Sequence, residues 1–172
     1  MSPAFSVRIA GERELAILWE KNVRRHPGDL RWAEWREEYI GYNRTGEAVT
    51  FAVMRGDEPV GEGTLLFSPA CRAIGGNPAL ADGKRVVNLN ALRIEKPYEG
   101  QGHVSQMVKE MEREAVRRGY RVITIGVDES ELRNRAIYRH WGFDRFLFYE
   151  VEDGERVLYY EKTLVPDGAE RR

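Results

Sequence analysis

The sequence predicts an α/β fold built on a mixed sheet, and three observations carry the prediction. Apolar runs of strand length recur from one end of the chain to the other. Some are joined by tight glycine-containing turns, as antiparallel hairpins require, and others are separated by a helical stretch, as crossovers require. The helical stretches keep their apolar residues on one side, so they pack as a layer on the sheet. No repeat, low-complexity linker or compositional break interrupts the 172 residues. One domain over residues 1–166 is expected, with a polar tail at 167–172.

Phe5 to Ile9 alternates apolar and polar residues and reads as the first strand. From Glu12 to Arg25, Leu15, Ile17, Leu18 and Trp19 cluster at helical spacing, and Pro27-Gly28 stops that helix. Trp32, Trp35, Tyr39 and Ile40 mark a second helix. Val49–Met54 and Val60–Phe67 flank the turn Arg55-Gly56-Asp57-Glu58-Pro59 and form a hairpin. Ser68–Arg85 is rich in Gly, Pro, Ala and Asp and longer than a hairpin needs, a length often tied to function. Val86–Ile94 is the next strand. Val104, Met107, Val108, Met111 and Ala115 then fall on one helical face, ended by Arg117-Arg118-Gly119. Val122–Val127 is a continuous apolar run, the pattern of a strand buried on both faces. Ser130–Trp141 forms another helix, and Gly142-Phe143 turns the chain back. Phe146–Val151 and Val157–Leu164, joined by Asp153-Gly154, close the fold with a second hairpin.

Composition narrows the function classes. Lys+Arg 27 against Asp+Glu 28 gives a net charge of -1, so no global field gathers nucleic acid or an anionic membrane. The single cysteine, Cys71, excludes an internal disulfide framework and fits a reducing compartment. The N-terminal residues lack a basic segment followed by an apolar run, and no segment reaches transmembrane length. A cytoplasmic location is expected, with no nucleic-acid or membrane partner and no metal.

The most informative stretch is Leu92-Arg93-Ile94-Glu95-Lys96-Pro97-Tyr98-Glu99-Gly100-Gln101-Gly102-His103-Val104-Ser105. A strand runs through a proline-marked turn into Gly-x-Gly and then a helix. Glycines let backbone approach a ligand closely, and a helix N-terminus aims unpaired N–H groups and partial positive charge at an anion. Phosphate or pyrophosphate fits that geometry. Dinucleotide binding does not, because no acidic ribose partner stands at the usual distance and no parallel βαβ repeat is present.

This loop, the element order and Ile137-Tyr138-Arg139-His140-Trp141-Gly142-Phe143 together resemble the GNAT superfamily of acyl-CoA-dependent N-acetyltransferases. The resemblance runs from about Phe5 to Leu164 and is most specific over Val86–Phe143. It implies a mostly antiparallel sheet of about seven strands, flanked by helices and splayed between strands four and five. Acetyl-CoA is the implied co-substrate. Backbone at Leu92 and Ile94 would pair with the pantetheine amides. Backbone N–H groups of Gly100, Gln101, Gly102, His103, Val104 and Ser105 would hold the pyrophosphate. Tyr138 would protonate the leaving thiolate. The chain departs from the family where Glu99 replaces Arg or Gln, where Val104 replaces Gly or Ala, and where Glu131 replaces an asparagine.

An alkyl amine attacks a thioester only when neutral, and its pKa is about 10, so a group must take its proton. Holding amine and thioester together lowers the barrier without an acyl-enzyme. Asn88 and Asn90 share one face of the fourth strand but cannot accept a proton at neutral pH; they can orient the acceptor or hold a water. Glu62, on the preceding strand, is either the candidate base or a solvent-facing strand residue. Asp128 either binds the amine or caps the next helix. His103 lies in the phosphate loop, His140 on a helix surface and His26 in a turn. Trp32, Trp35 and Tyr39, with the Ser68–Arg85 loop, form the expected acceptor site, where aromatic rings can stack on a cation.

The expected function is transfer of an acetyl group from acetyl-CoA to a primary amine of a small molecule. The alternatives are a non-catalytic acyl-CoA sensor on the same fold and an acetyltransferase of protein or peptide amines. Apolar residues of the last hairpin, Val157-Leu158-Tyr159-Tyr160, offer a surface for a homodimer.

Overall fold

Among the described residues seven strands and four α-helices follow one another in the order read from the sequence. They are β1 (Phe5–Ile9), α1 (Glu12–Arg25), α2 (Arg31–Thr45), β2 (Ala48–Arg55), β3 (Glu58–Leu66) and β4 (Val86–Ile94). A single 3-10 turn at Lys96–Tyr98 precedes α3 (His103–Arg117), β5 (Val122–Asp128), α4 (Leu132–His140), β6 (Arg145–Glu152) and β7 (Glu155–Thr163). The computed structural model describes residues 2–166, and the predicted polar tail at 167–172 lies outside the described residues. The strands form one mixed sheet in the order β1-β2-β3-β4-β5-β7-β6, in which β4 and β5 run parallel. By internal contacts the chain divides into two units, one of residues up to Leu66 with Ala91–Met111, the other of Phe67–Asn90 with residues from Glu112 onward.

In the first unit β1, β2 and β3 make an antiparallel meander, with Phe5 opposite Arg55 and Ala52 opposite Glu62. Helix α1 forms because its apolar residues recur every three or four positions, so Leu15, Leu18 and Trp19 are buried along one face. The Glu14 carboxylate accepts the Gly11 N–H at 3.1 Å, and Arg24 and Arg25 complement the helix dipole at the other end. Leu15 and Leu18 join Ala10, Ala52 and Met54 in a core that Ile40 flanks. Gly46, at φ 82°, ends α2 in the left-handed conformation.

In the second unit the β4–β5 pairing runs from Val86↔Val122 to Leu89↔Ile125 and ends there. Two residues further along β4, Ala91 has φ 56°, a left-handed residue inside a strand. The expected parting of strands four and five corresponds to this end of pairing. β5 continues against β7, Val122↔Thr163 to Asp128↔Val157, and β7 pairs with β6. In the Ser68–Arg85 loop Cys71, Ile74, Leu80 and Ala81 are buried. Its last turn is set by Asp82, whose Oδ1 accepts the N–H groups of Lys84, Arg85 and Val86 at 2.8–2.9 Å. Helix α4 starts later than its sequence pattern suggests, because Asp128 Oδ1 takes both the N–H and the hydroxyl of Ser130. In the last hairpin Leu158 and Tyr159 are buried, and the exposed apolar residues lie on β6, at Phe146, Tyr149 and Val151.

Gly63 shows how tightly the first unit is packed. A Cβ there would lie 2.8 Å from Leu92 Cδ2, 3.0 Å from Met111 Sδ and 3.1 Å from Met107 Cε. Gly63→Val should therefore overpack the site by ~1–3 kcal/mol and lower the melting temperature by about 2–10 °C in scanning calorimetry. An unchanged melting temperature would mean that these three side chains move aside at no cost.

Candidate active site

The glycine loop opens α3. Gly100 and Gly102 have φ of 72° and 86°, which only glycine adopts without strain. A Cβ on either would meet nothing within 4 Å, so the loop presents bare backbone to open space. The N–H groups of the first helical turn, from His103, have no partner within the helix, and no acidic residue stands in that turn. A pyrophosphate fits such a cradle. Glu99 is exposed, and Val104 is half-buried. Gln101 Nε2 donates to the Pro97 carbonyl at 3.2 Å, and His103 Nε2 lies 3.1 Å from Gln101 Oε1.

A second feature of the same unit is a cleft lined by Leu18, Lys21, Asn22, Arg25, Val60, Gly61, Glu62, Arg93, Ile94 and Glu95. Glu62 is only 2% exposed. Its Oε1 accepts Arg93 Nη1 at 3.1 Å and its Oε2 accepts Asn22 Nδ2 at 2.9 Å. Burial pushes the carboxyl above the usual range, against the pull of Arg93 and the Asn22 hydrogen bond. At the rim Lys21 Nζ donates to Glu58 at 2.8 Å, Glu95 at 2.9 Å and the Pro59 carbonyl at 3.0 Å. Burial disfavours that ammonium, but the hydrogen bonds to Glu58 and Glu95 outweigh it and raise its pKa.

The aromatic residues expected to receive an acceptor are engaged with the protein's own groups. The Arg93 guanidinium lies 4.9 Å from the Trp32 ring centre and 5.5 Å from that of Trp19. His26 stacks on Trp32 at 3.7 Å, and Arg31 sits 5.5 Å over Trp35. Tyr39 is buried beside Trp19 at 5.2 Å. Arg93 and Asn22 received no role in the sequence reading. The signal that could have found Arg93 is a lone charged residue, between Leu92 and Ile94, in a strand that holds no other charge.

In the second unit Tyr138 lies in the last turn of α4, its carbonyl accepting the Phe143 N–H at 3.0 Å and its ring 5.5 Å from Trp141. Gly142, at φ 99°, lets the chain reverse so that Phe143 enters the core at 1% exposure. Burial, and then the Glu131 charge, push the Tyr138 hydroxyl up to about 12. Asn88 is 2% exposed, and its Nδ2 donates to Thr124 Oγ1 at 2.9 Å, while that hydroxyl donates to the Leu80 carbonyl at 2.8 Å. Asn90 Nδ2 lies 3.4 Å from Asn88 Oδ1. Asp128 holds Ser130, and Asn134 donates to Glu131 at 2.5 Å. Among the described residues no group of three or more His, Cys, Asp or Glu is placed to hold a metal, and no helix is long and apolar enough to cross a membrane.

Arg93→Met would leave the buried Glu62 carboxylate without its hydrogen-bonded cation, only the more distant Arg25 charge remaining, at a cost of ~3–5 kcal/mol in stability at pH 8. Without Arg93 the Glu62 pKa rises further above its unfolded value. Stability from a raised acid is present below the unfolded pKa and lost as pH rises through the folded one. The deficit relative to the parent chain should shrink between pH 8 and pH 5.5, as read by urea denaturation. A deficit independent of pH would show that the charge of Glu62 is not what Arg93 balances.

Comparison with known proteins agrees with this fold. The family model described as "Acetyltransferase (GNAT) family" matches residues 12–143. No curated protein matches the chain in sequence. An aminoglycoside 6'-N-acetyltransferase complexed with coenzyme A superimposes with a TM-score of 0.70 at 17% identity, covering 95% of this chain and 99% of that one. The Salmonella typhimurium acetyl transferase that modifies the N-terminal serine of ribosomal protein L7/L12 gives 0.67 at 17% identity, over 94% of this chain and 95% of that one. The Salmonella typhimurium protein yncA, with its cofactor acetyl-CoA, gives 0.66 at 12% identity, over 96% and 97%. The chain belongs to the GNAT acetyltransferase family and is an acetyl-CoA-dependent N-acetyltransferase.

Proposed function

We propose that residues 1–166 act as one domain that acetylates a primary amine of a small molecule by direct attack. The observation that carries this reading is the Glu62 carboxylate, buried at the wall of a cleft and oriented by Asn22 and Arg93. A carboxylate raised toward neutrality by burial is suited to draw in an ammonium and take its proton. The space beside Glu62 is about the size of a water molecule, which favours the approach of a small ammonium over a bulky group.

Acetyl-CoA, when bound, supplies an activated acetyl thioester. The N–H groups from Gly100 to Ser105 hold its pyrophosphate, and the backbone of Leu92 and Ile94 engages the pantetheine amides. Glu62 takes the proton of the acceptor amine. Tyr138, kept protonated by its burial, gives its hydroxyl proton to the departing sulfur. The exposed Phe146, Tyr149 and Val151 of β6, the last strand in the sheet order, support a homodimer; sedimentation at monomer mass across micromolar concentrations would remove it.

Thiol release with a panel of amines tests the acceptor class. Turnover with small primary amines is expected, and turnover confined to peptide N-termini would overturn the small-molecule reading. Tyr138→Phe should lower kcat by roughly 10²-fold with calorimetric affinity for coenzyme A unchanged. Because the hydroxyl is pushed up to about 12, the parent enzyme should show no alkaline loss of rate from Tyr138 below pH 10. Glu62→Gln should lower kcat by a similar ~10²-fold. A kcat at the parent value in either variant would remove that residue from the chemistry.

A further inference from the structure

We propose that Phe5, on the N-terminal strand, is a positioning residue for the cofactor loop, its ring stapling the loop across Tyr98 and His103. The inference rests on reading Gly100–Ser105 as the pyrophosphate cradle. Phe5 is 36% exposed, so its ring is not filling the hydrophobic core. It stacks on His103 with ring centres 4.0 Å apart and planes 19° apart, and meets the Tyr98 ring edge-on at 5.4 Å. Tyr98 precedes the two glycines and His103 follows them, so one ring touches both ends of the segment that carries the backbone donors.

The staple is anchored by the sheet. Phe5 lies opposite Arg55 in the β1–β2 ladder, and the Gly56 N–H donates to the Ala4 carbonyl at 2.8 Å. The Arg55 guanidinium rests 5.6 Å over the other ring of the cluster, that of Tyr98. On the loop side, Gln101 Oε1 can only accept, so His103 donates from Nε2, and Gln101 Nε2 closes onto the Pro97 carbonyl. The ring network thus runs from a fixed strand into the loop.

The loop needs such an anchor. Gly100 and Gly102 have left-handed φ with nothing near either Cβ position, so side-chain packing does not hold them. Fixing a residue's backbone costs conformational entropy, and glycine loses more than most. If Phe5 holds the loop in the free protein, less of that cost falls on cofactor binding.

Titration calorimetry with coenzyme A alone reads the effect without turnover. Phe5→Leu keeps apolar bulk but removes the ring, and should weaken coenzyme A about fivefold. The KM for acetyl-CoA should rise by the same factor while kcat and the acceptor KM stay at parent values. Phe5→Tyr should restore affinity. The Phe5→Leu/His103→Ala double variant should bind no more weakly than the weaker single variant, because both remove one contact. Gly102→Val, tested alongside, should lose coenzyme A binding while staying folded by circular dichroism. Parent affinity in Phe5→Leu with loss in Gly102→Val overturns the staple and leaves the loop reading intact. Losses that add in the double variant show that Phe5 does not act through His103, which also overturns the staple. Parent affinity in folded Gly102→Val removes the loop from the site, and the staple's role with it.

Discussion

The first unit is organised around one buried charge. Glu62 lies in a strand between two glycines at 2% exposure, and an ionised carboxylate there costs several kcal/mol unless a cation answers it. Asn22 of α1 and Arg93 of β4 answer it, and Arg93 is covered by Trp19 of α1 and Trp32 of α2. Two helices and two strands are thereby tied to a single carboxylate. An apolar set of similar volume would hold them together as firmly, so the pair contributes direction more than net stability. Only one register of β4 delivers Arg93 to Glu62, and a slip by one residue would turn Arg93 to the opposite face. That register also fixes where the chain leaves β4, at Glu95, whose N–H bonds the Val60 carbonyl before the glycine loop begins.

What was legible in the sequence follows from the range of the forces involved. Helix α1 and strand β4 have the bounds their local patterns predict, because periodicity and stop signals act over a few residues. The 3-10 turn at Lys96–Tyr98 was hidden, since Pro97 marks a turn without saying which kind. The sequence pattern overextends α4, because the Asp128–Ser130 turn competes with its first residues. The site was less legible for the same reason. Glu62 meets Arg93 from 31 positions away and Asn22 from 40, separations at which no local pattern reports a contact. Trp32 and Trp35 were correctly placed on a helix face, but the cations that cover them come from elsewhere in the unit or from a neighbouring turn.

The two departures from the family's loop are now physical questions with local answers. Glu99 is exposed, so water screens its charge and weakens its effect on a nearby anion. Val104 stands within the first turn of α3, where its side chain leaves the backbone N–H groups in place. The bare surface that a phosphate needs is supplied instead by Gly100 and Gly102.

The proposed proton transfers ask for a base strong enough to compete for an ammonium proton and an acid that has not already ionised. Desolvation serves both, because it penalises charge whatever its sign. It raises Glu62, which makes a carboxylate more basic, and it raises Tyr138, which keeps a phenol protonated. Burial alone disfavours the ionised form of Glu62. Arg93 and Asn22 pull it back by stabilising the anion. Burial therefore makes Glu62 hold a proton more tightly than a carboxylate in water, while its two partners favour the anion from which the proposed transfer starts.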